Sequence, residues 1–362
     1  MYSEGDLRDA VAAGAISAEA AQGLREHVST TRAAPVTDEE NFRLVTSFND
    51  IFVTIAAVLL LVAMAGIGQA LTPGFDGPPP FAGLFVAAMA WLLAELFTRK
   101  RRMALPSIVL LIAFAGGVFE MLLGLSFELA FDADALARPD ETLFFSLVAG
   151  AALLTAGAAW LHWRRFKVPI TVAAGAAAVV ATVVSLVIAV FDLASGDGPE
   201  IILPLVFVSG LAVFAYAMHW DISDRARETR RSDVAFWLHL LAAPMIAHPL
   251  FSWLGVTGGD NFGAGAAAGV LAIYIGLALV ALAVDRRALL VSALAYVLSA
   301  LTWLFDEFGA VELNVALTAL VIGSALLMLS AFWTPIRSTL VERLPGKLQT
   351  RLPLPGAMPR PA

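Results

Sequence analysis

The stretch IFVTIAAVLLLVAMAGIGQA, residues 51–70, decides the fold class, because it contains no charged residue. An α-helix rises 1.5 Å per residue, so such a run is about 30 Å long and matches the hydrocarbon core of a bilayer. The run is continuously apolar rather than alternating, which excludes the strand pattern of a membrane barrel. We therefore predict that this segment is a transmembrane helix.

The rest of the chain repeats the pattern. Of the 362 residues, 59% are hydrophobic and only 15% are charged, against about 25% charged residues in soluble proteins. The apolar runs predict an all-α, polytopic membrane helix bundle of about ten transmembrane helices. The predicted spans are residues 50–71, 81–98, 104–125, 142–163, 168–193, 201–220, 234–254, 265–284, 288–308 and 312–333.

The soluble parts of the chain are short. We predict a cytoplasmic helical N-terminal segment (1–49), the transmembrane bundle (50–333) and a cytoplasmic amphipathic and Pro-rich tail (334–362). In the tail, Ile336, Leu340 and Leu344 share one helical face, which is typical of a helix lying in the membrane interface. From Pro345 onward the prolines and the lack of periodicity predict disorder.

Basic residues predict the orientation. If the N-terminus is cytoplasmic, every Lys and Arg except Arg138 falls in a cytoplasmic segment, as the positive-inside rule requires. This predicts a multi-pass protein of the inner (cytoplasmic) membrane with both termini in the cytoplasm. The net charge of −7 argues against a nucleic-acid partner.

Ionisable residues inside the spans form a candidate intramembrane polar site. A charge at mid-bilayer is costly, so such residues point to function. Glu120 and His248 lie at matching depths, and His239 is nearer the cytoplasmic end of the same span as His248. This site would be either a proton relay or a polar clamp, and the alternative is a structural kink with a satisfied histidine. Glu95 is one turn before Arg99, and we predict an ion pair between the two.

Small residues at helical spacing predict close contacts between helices. The alternative for the same residues is a substrate channel lined by small side chains. The residues concerned are Gly265, Gly269, Gly276, Ala173, Ala177 and Ala181.

Residues 3–29 predict two short helices with apolar positions on one face of each. The apolar positions are Leu7, Val11, Leu24 and Val28. Such a hairpin is too small to bury its own apolar face. We therefore expect it to dock on a partner protein or on the chain's own basic loops.

Within this hairpin, the run Gly14-Ala-Ile16-Ser17, followed by Ala21 and Leu24, resembles the opening of a bacterial family of multi-pass membrane proteins of unknown function. In that family a short helical N-terminal unit precedes a hydrophobic bundle. The resemblance implies the same layout here, and it implies no catalytic residue.

The sequence lacks the motifs of common membrane enzymes. It contains no zinc-protease motif, no P-loop, no nucleophile elbow and no cysteine, so we predict no catalytic residue, no metal and no cofactor. We predict an interaction/assembly or envelope-maintenance protein whose partners are the lipid bilayer and the protein or loops that receive the hairpin. The alternative is a secondary transporter of a small solute that uses Glu120 and His248. A membrane-embedded enzyme is the third hypothesis.

Overall fold

The computed structural model describes residues 4–31, 48–73, 77–130, 140–191, 193, 198–225, 227, 229–255, 263–307 and 314–353. The chain divides into two compact units, Met1–Phe42 and Arg43–Ala362. All regular structure within the described ranges is helical, so the predicted all-α fold is confirmed.

The first unit contains the predicted helical hairpin, α1 (Glu4–Ala12) and α2 (Ala18–Thr31). Gly14 has a φ of 68° just after α1, a backbone conformation that glycine adopts without strain. The Ser17 hydroxyl accepts a hydrogen bond from the Ala20 N–H at 3.0 Å and so caps α2.

The described apolar residues of this hairpin are unevenly buried. Ala21 is 1% exposed, whereas Leu24, one turn further along α2, is 40% exposed. Leu7 and Val11 are half-buried. The side chain of Val28 lies outside the described residues.

In the second unit, each predicted span is a helix. The helices are α3 (Phe48–Ala70), α4 (Pro80–Ala94), α5 (Ala104–Ala130), α6 (Glu141–Phe166), α7 (Ile170–Val190), α8 (Gly198–Ser223), α9 (Arg230–Trp253), α10 (Ala264–Val284), α11 (Ala288–Glu307) and α12 (Asn314–Ala331). Within the described residues, α3 to α10 are each long and apolar enough to cross a membrane when α4 is counted with its π-helical continuation to Lys100. Helix α12 with its bent continuation makes up to nine such spans. The described apolar part of α11, Leu289–Trp303, is shorter.

Local chemistry fixes several helix ends. The Asp140 carboxylate accepts hydrogen bonds from the N–H groups of Thr142 and Leu143 and so caps α6. Lys167 ends α6 with a φ of 57°. Helix α4 continues into a π-helical turn, Glu95–Lys100, which carries the basic residues that follow the span.

Neighbouring helices pack as hairpins in most of the bundle, as the short connections predict. The packed pairs are α3–α4, α4–α5, α6–α7, α8–α9 and α10–α11. Helix α9 is the exception, because it packs mainly on α7, α8 and α11 rather than on α10, its successor in sequence. More than half of the residues in the apolar stretch of α9 that is long enough to cross a membrane are buried. Helix α9 therefore forms the centre of the C-terminal part of the bundle.

The closest helix contacts use glycines that the sequence analysis did not select. A Cβ added at Gly83 would lie 2.5 Å from the carbonyl oxygen of Gly117, and one added at Gly117 would lie 2.6 Å from the carbonyl oxygen of Gly83. Helices α4 and α5 therefore touch backbone to backbone. Gly68 and Gly124 make similar contacts, with residues 81–82 and with Pro78 and Pro80.

The predicted small-residue face on α10 is mostly open within this chain. A Cβ at Gly265 or Gly276 would meet no described atom within 4 Å, and one at Gly269 would meet only the Leu254 side chain. On α7, Ala173 is buried in a core cluster, while Ala177 and Ala181 are half-buried.

The tail is more ordered than the sequence predicts. After α12 the chain bends by 68° into α13 (Trp333–Glu342), and a short helix α14 (Gly346–Gln349) follows. The guanidinium of Arg225 donates hydrogen bonds to the carbonyl oxygens of Gln349 and Leu352. The prediction of disorder from Pro345 is thus wrong for residues 345–353, because Arg225 binds their carbonyl groups. Residues 354–362 lie outside the described part.

Candidate functional site

Basic residues that end the helices come together at one end of the bundle. Glu95 accepts hydrogen bonds from Arg165 at 2.7 and 3.0 Å and from Arg99 at 3.2 Å, so its predicted pair with Arg99 is confirmed. Trp163, in the last turn of α6, packs on the core cluster that contains Val234, in the first turn of α9. We call this end the basic end; it carries Arg99, Lys100, Arg164, Arg165, Lys167, Arg225, Arg227, Arg286 and Arg337.

A buried charge cluster lies at the basic end between α8, α9 and the α10–α11 turn. Asp221 is 1% exposed, Arg286 is 1% exposed and His239 is fully buried. Nη2 of Arg286 donates to Oδ1 of Asp221 at 2.6 Å, and Nε2 of His239 lies 2.8 Å from Oδ2. Nη2 of Arg286 also donates to the carbonyl oxygen of Ser232 at 3.0 Å and lies 3.2 Å from its hydroxyl.

A second cluster surrounds Asp285, the residue before Arg286. Nη1 of Arg227 donates to Oδ2 of Asp285 at 2.9 Å, and the indole Nε1 of Trp333 donates to Oδ1 at 2.7 Å. Nε of Arg337 lies 3.6 Å from the same carboxylate, and its Nη2 donates to the carbonyl oxygen of Pro353 at 2.8 Å. Helix α13 and the tail are thereby attached to the α10–α11 turn.

The backbone at Asp285 allows the two clusters to share one turn. Asp285 has a φ of 60° and ends α10 in the left-handed conformation. The next residue, Arg286, donates its backbone N–H to the carbonyl oxygen of Ala281. Two adjacent residues of opposite charge thus enter two different buried clusters.

The Asp221–His239–Arg286 cluster has the geometry of a clamp rather than of an open catalytic site. Nδ1 of His239 has no hydrogen-bond partner among the described residues. The His239 ring is fully buried and contacts the edge of Phe214, with ring centroids 5.0 Å apart. A substrate would have to displace this packing to reach the ring. No group of three or more acidic, His or Cys residues in the described ranges has the arrangement of a metal site.

The other two residues of the predicted polar site lie elsewhere. Glu120 is half-buried on α5 and makes no hydrogen bond or ion pair to any described residue. His248 is exposed, and its Nδ1 lies 2.7 Å from the hydroxyl of Tyr296 on α11. Helix α5 packs on α3, α4, α6 and α7, whereas α9 packs on α7, α8 and α11. The structure therefore joins His248 to Tyr296 and not to Glu120.

A separate buried histidine occupies the basic end of α6. His162 is almost fully buried, and its Nδ1 lies 3.2 Å from the hydroxyl of Thr171. The rings of Trp91, Phe114 and Phe166 surround it at centroid distances of 4.6 to 5.9 Å. This residue joins the start of α7 to the aromatic core of α4, α5 and α6.

Sequence reasoning missed Asp221, Asp285 and Arg286. The available signal was the occurrence of Asp221 and Asp285 in segments of the chain that are otherwise basic. A buried carboxylate needs a nearby cation, so acids at the basic end of apolar helices were candidates for such pairs. Comparison of the chain with protein-family models, with curated proteins and with solved structures found no significant match.

Proposed function

We propose that this chain is a membrane anchor for a protein assembly, with the helix bundle as the anchor and the N-terminal hairpin as the docking unit. The observation that carries the proposal is the clamp at the basic end. Its buried charges are satisfied by one another and by Ser232, so they hold the bundle together rather than face a substrate.

The proposed location is the inner membrane with both termini in the cytoplasm. The basic end gathers the positively charged loops, and such loops are retained on the cytoplasmic side during insertion. The basic end would then face the cytoplasm, where the hairpin could meet its partner.

The hairpin has the surface expected of a docking unit. Leu24 remains 40% exposed, and Leu7 and Val11 are only half-buried. Residues 1–50 contain more acidic than basic residues, which disfavours an anionic membrane surface and favours a basic one. We propose a partner protein with a basic surface as the occupant.

Photo-crosslinking in cells tests this function. A photoreactive amino acid at Leu24 should give a product of one discrete higher mass, because Leu24 lies on the exposed apolar face. The matched control is Gln22, which is exposed about 200° away around the same helix and should give none. Absence of any product from position 24, or identical products from both positions, would contradict the docking role.

Secondary transport is the second candidate function, and one observation favours it. Glu120 is half-buried without a polar partner among the described residues, as expected for a group that binds an ion or a proton. Glu120 lines neither the apolar cleft between α6, α7 and α8 nor the one between α10, α12 and α13. Labelling of Glu120→Cys by a water-soluble thiol reagent would indicate an aqueous pathway and favour transport.

A further inference from the structure

A cleft of about 750 Å³ opens between α6, α7 and α8. Its lining includes small residues, among them Ala159, Gly175 and Ala212. Helix α8 packs far more closely on α9 than on α7, which leaves the space between α7 and α8 unfilled. The walls are valines toward the middle of the bundle and aromatic rings toward the basic end.

The length of the cleft matches one leaflet of a bilayer. On α7 it extends from Thr171, at the basic end, to Val183, which is about 18 Å along the helix at 1.5 Å per residue. Half of the hydrocarbon core is about 15 Å thick. The cleft therefore begins at the basic end and stops near the middle of the membrane.

The basic end of the cleft carries two cations held against its own walls. The guanidinium carbon of Arg164 lies 4.9 Å from the ring centroid of Trp160, and Nζ of Lys167 lies 5.3 Å from that of Trp163. Both rings line the cleft, and both cationic side chains are exposed. An anion at the mouth of the cleft would meet both charges.

We propose that this cleft binds one acyl chain of an anionic phospholipid from the leaflet at the basic end, with the phosphate beside Arg164 and Lys167. The two exposed cations beside the cleft favour an anionic lipid over an apolar helix of a partner protein, because such a helix would leave them unmatched. A neutral lipid would leave the two cations unmatched. The site does not depend on the docking role of the hairpin.

Lipid retention measured by native mass spectrometry of the full chain tests the proposal. The probes are phosphatidylglycerol and phosphatidylcholine with identical acyl chains. A Lys or Arg near the membrane surface contributes roughly fivefold in affinity for anionic lipid, so we expect roughly 25-fold tighter binding of phosphatidylglycerol. Equal retention of the two lipids would overturn the proposal.

Charge variants locate the headgroup. The double variant Arg164→Gln, Lys167→Asn should bind phosphatidylglycerol as weakly as the native chain binds phosphatidylcholine. Asn is chosen at position 167 because it tolerates the left-handed backbone there. The control variant Lys100→Gln, Arg101→Gln removes two charges at the basic end outside the cleft and should keep the preference. Loss of preference in the control alone would contradict the assignment.

Filling variants locate the acyl chain. Ala212→Phe should reduce lipid retention at least tenfold, whereas Ala215→Phe should leave it unchanged. Both alanines are exposed on α8, and only Ala212 lines the cleft. If Ala212→Phe fails to fold, Gly175→Leu replaces it, because a Cβ at Gly175 meets only the Ala159 methyl group at 3.7 Å. Undiminished lipid binding by a folded filling variant would overturn the proposal.

Discussion

At the scale of single residues, Arg286 links three parts of the chain. It pairs with Asp221 on α8 and with Ser232 on α9, and it belongs to the turn between α10 and α11. A buried ion pair contributes little net stability, because desolvation offsets the attraction. Removing one member is costly, however, because the other is left charged and unpaired in a buried site. We therefore expect the pair to contribute to the arrangement of these helices more than to the net stability of the fold.

Replacement of Arg286 should show that removing one member of the pair costs more than the intact pair contributes. We expect Arg286→Gln to destabilise the protein by about 3–5 kcal/mol, the cost of breaking a buried pair. Arg287→Gln is the matched control, because Arg287 is exposed and its side chain makes, among the described residues, only a long hydrogen bond to Ser330 and a contact with the Trp333 ring. Its loss should cost less than about 1 kcal/mol. Thermal unfolding in detergent would compare the two, and similar losses in both variants would contradict the argument.

At the scale of helices, the N-terminal and C-terminal parts of the bundle are held together in different ways. Helices α4 and α5 approach each other through Gly83 and Gly117, so their contact is backbone on backbone. Around α9 the contacts combine small residues, such as Gly210 against Met245, with larger side chains and with the buried charges. Close packing of small residues is effective in a membrane because lipid provides little hydrophobic force between helices.

A methyl group at the α4–α5 contact should disrupt it. Gly117→Ala would place its Cβ 2.6 Å from the Gly83 carbonyl oxygen and 2.9 Å from the backbone nitrogen of Ala87. Neither backbone can move without shifting a helix, so we expect a loss of about 1–3 kcal/mol, the usual cost of overpacking. Gly116→Ala is the control, because a Cβ there meets nothing within 4 Å. Alanine is also the better helix former, so this control should be neutral or stabilising. Equal melting temperatures for the two variants would show that the contact is not tight.

At the scale of the whole molecule, the sequence predicts the helices far better than it predicts their partners. The composition of an apolar run indicates by itself that the segment lies in lipid, so every predicted span coincides with a helix in the structure. The contact between Gly83 and Gly117 depends on which helices become neighbours. No local sequence pattern indicates this. For the same reason His239 was selected as a lone polar residue, while its partners Asp221 and Arg286 were not. The π-helical turn after α4 was also missed, because its residues have no distinctive composition.

Orientation is the prediction that belongs to this scale. The chain has no cysteine, so single cysteines can be probed with a membrane-impermeant thiol reagent in intact cells. Glu141→Cys, at the start of α6 and away from the basic end, should be labelled. Arg101→Cys, after α4 at the basic end, should be labelled only after permeabilisation. Both positions are exposed, so accessibility within the fold does not bias the comparison. Labelling of position 101 in intact cells would reverse the proposed topology.

The clamp at the basic end has a consequence for how the chain is made. Arg286 leaves the ribosome 65 residues after Asp221, a delay of about 3–13 seconds at ordinary rates of translation. During that interval the nascent chain carries an acid whose permanent cation has not yet been synthesised, and of the two side chains that Asp221 contacts in the buried cluster only His239 is already present. We expect the carboxylate to stay hydrated until the α10–α11 turn has been synthesised, because an unpaired buried charge is costly. Closure of the second cluster waits longer still, because Pro353, whose carbonyl group binds Arg337, follows Arg286 in the chain and is translated after it.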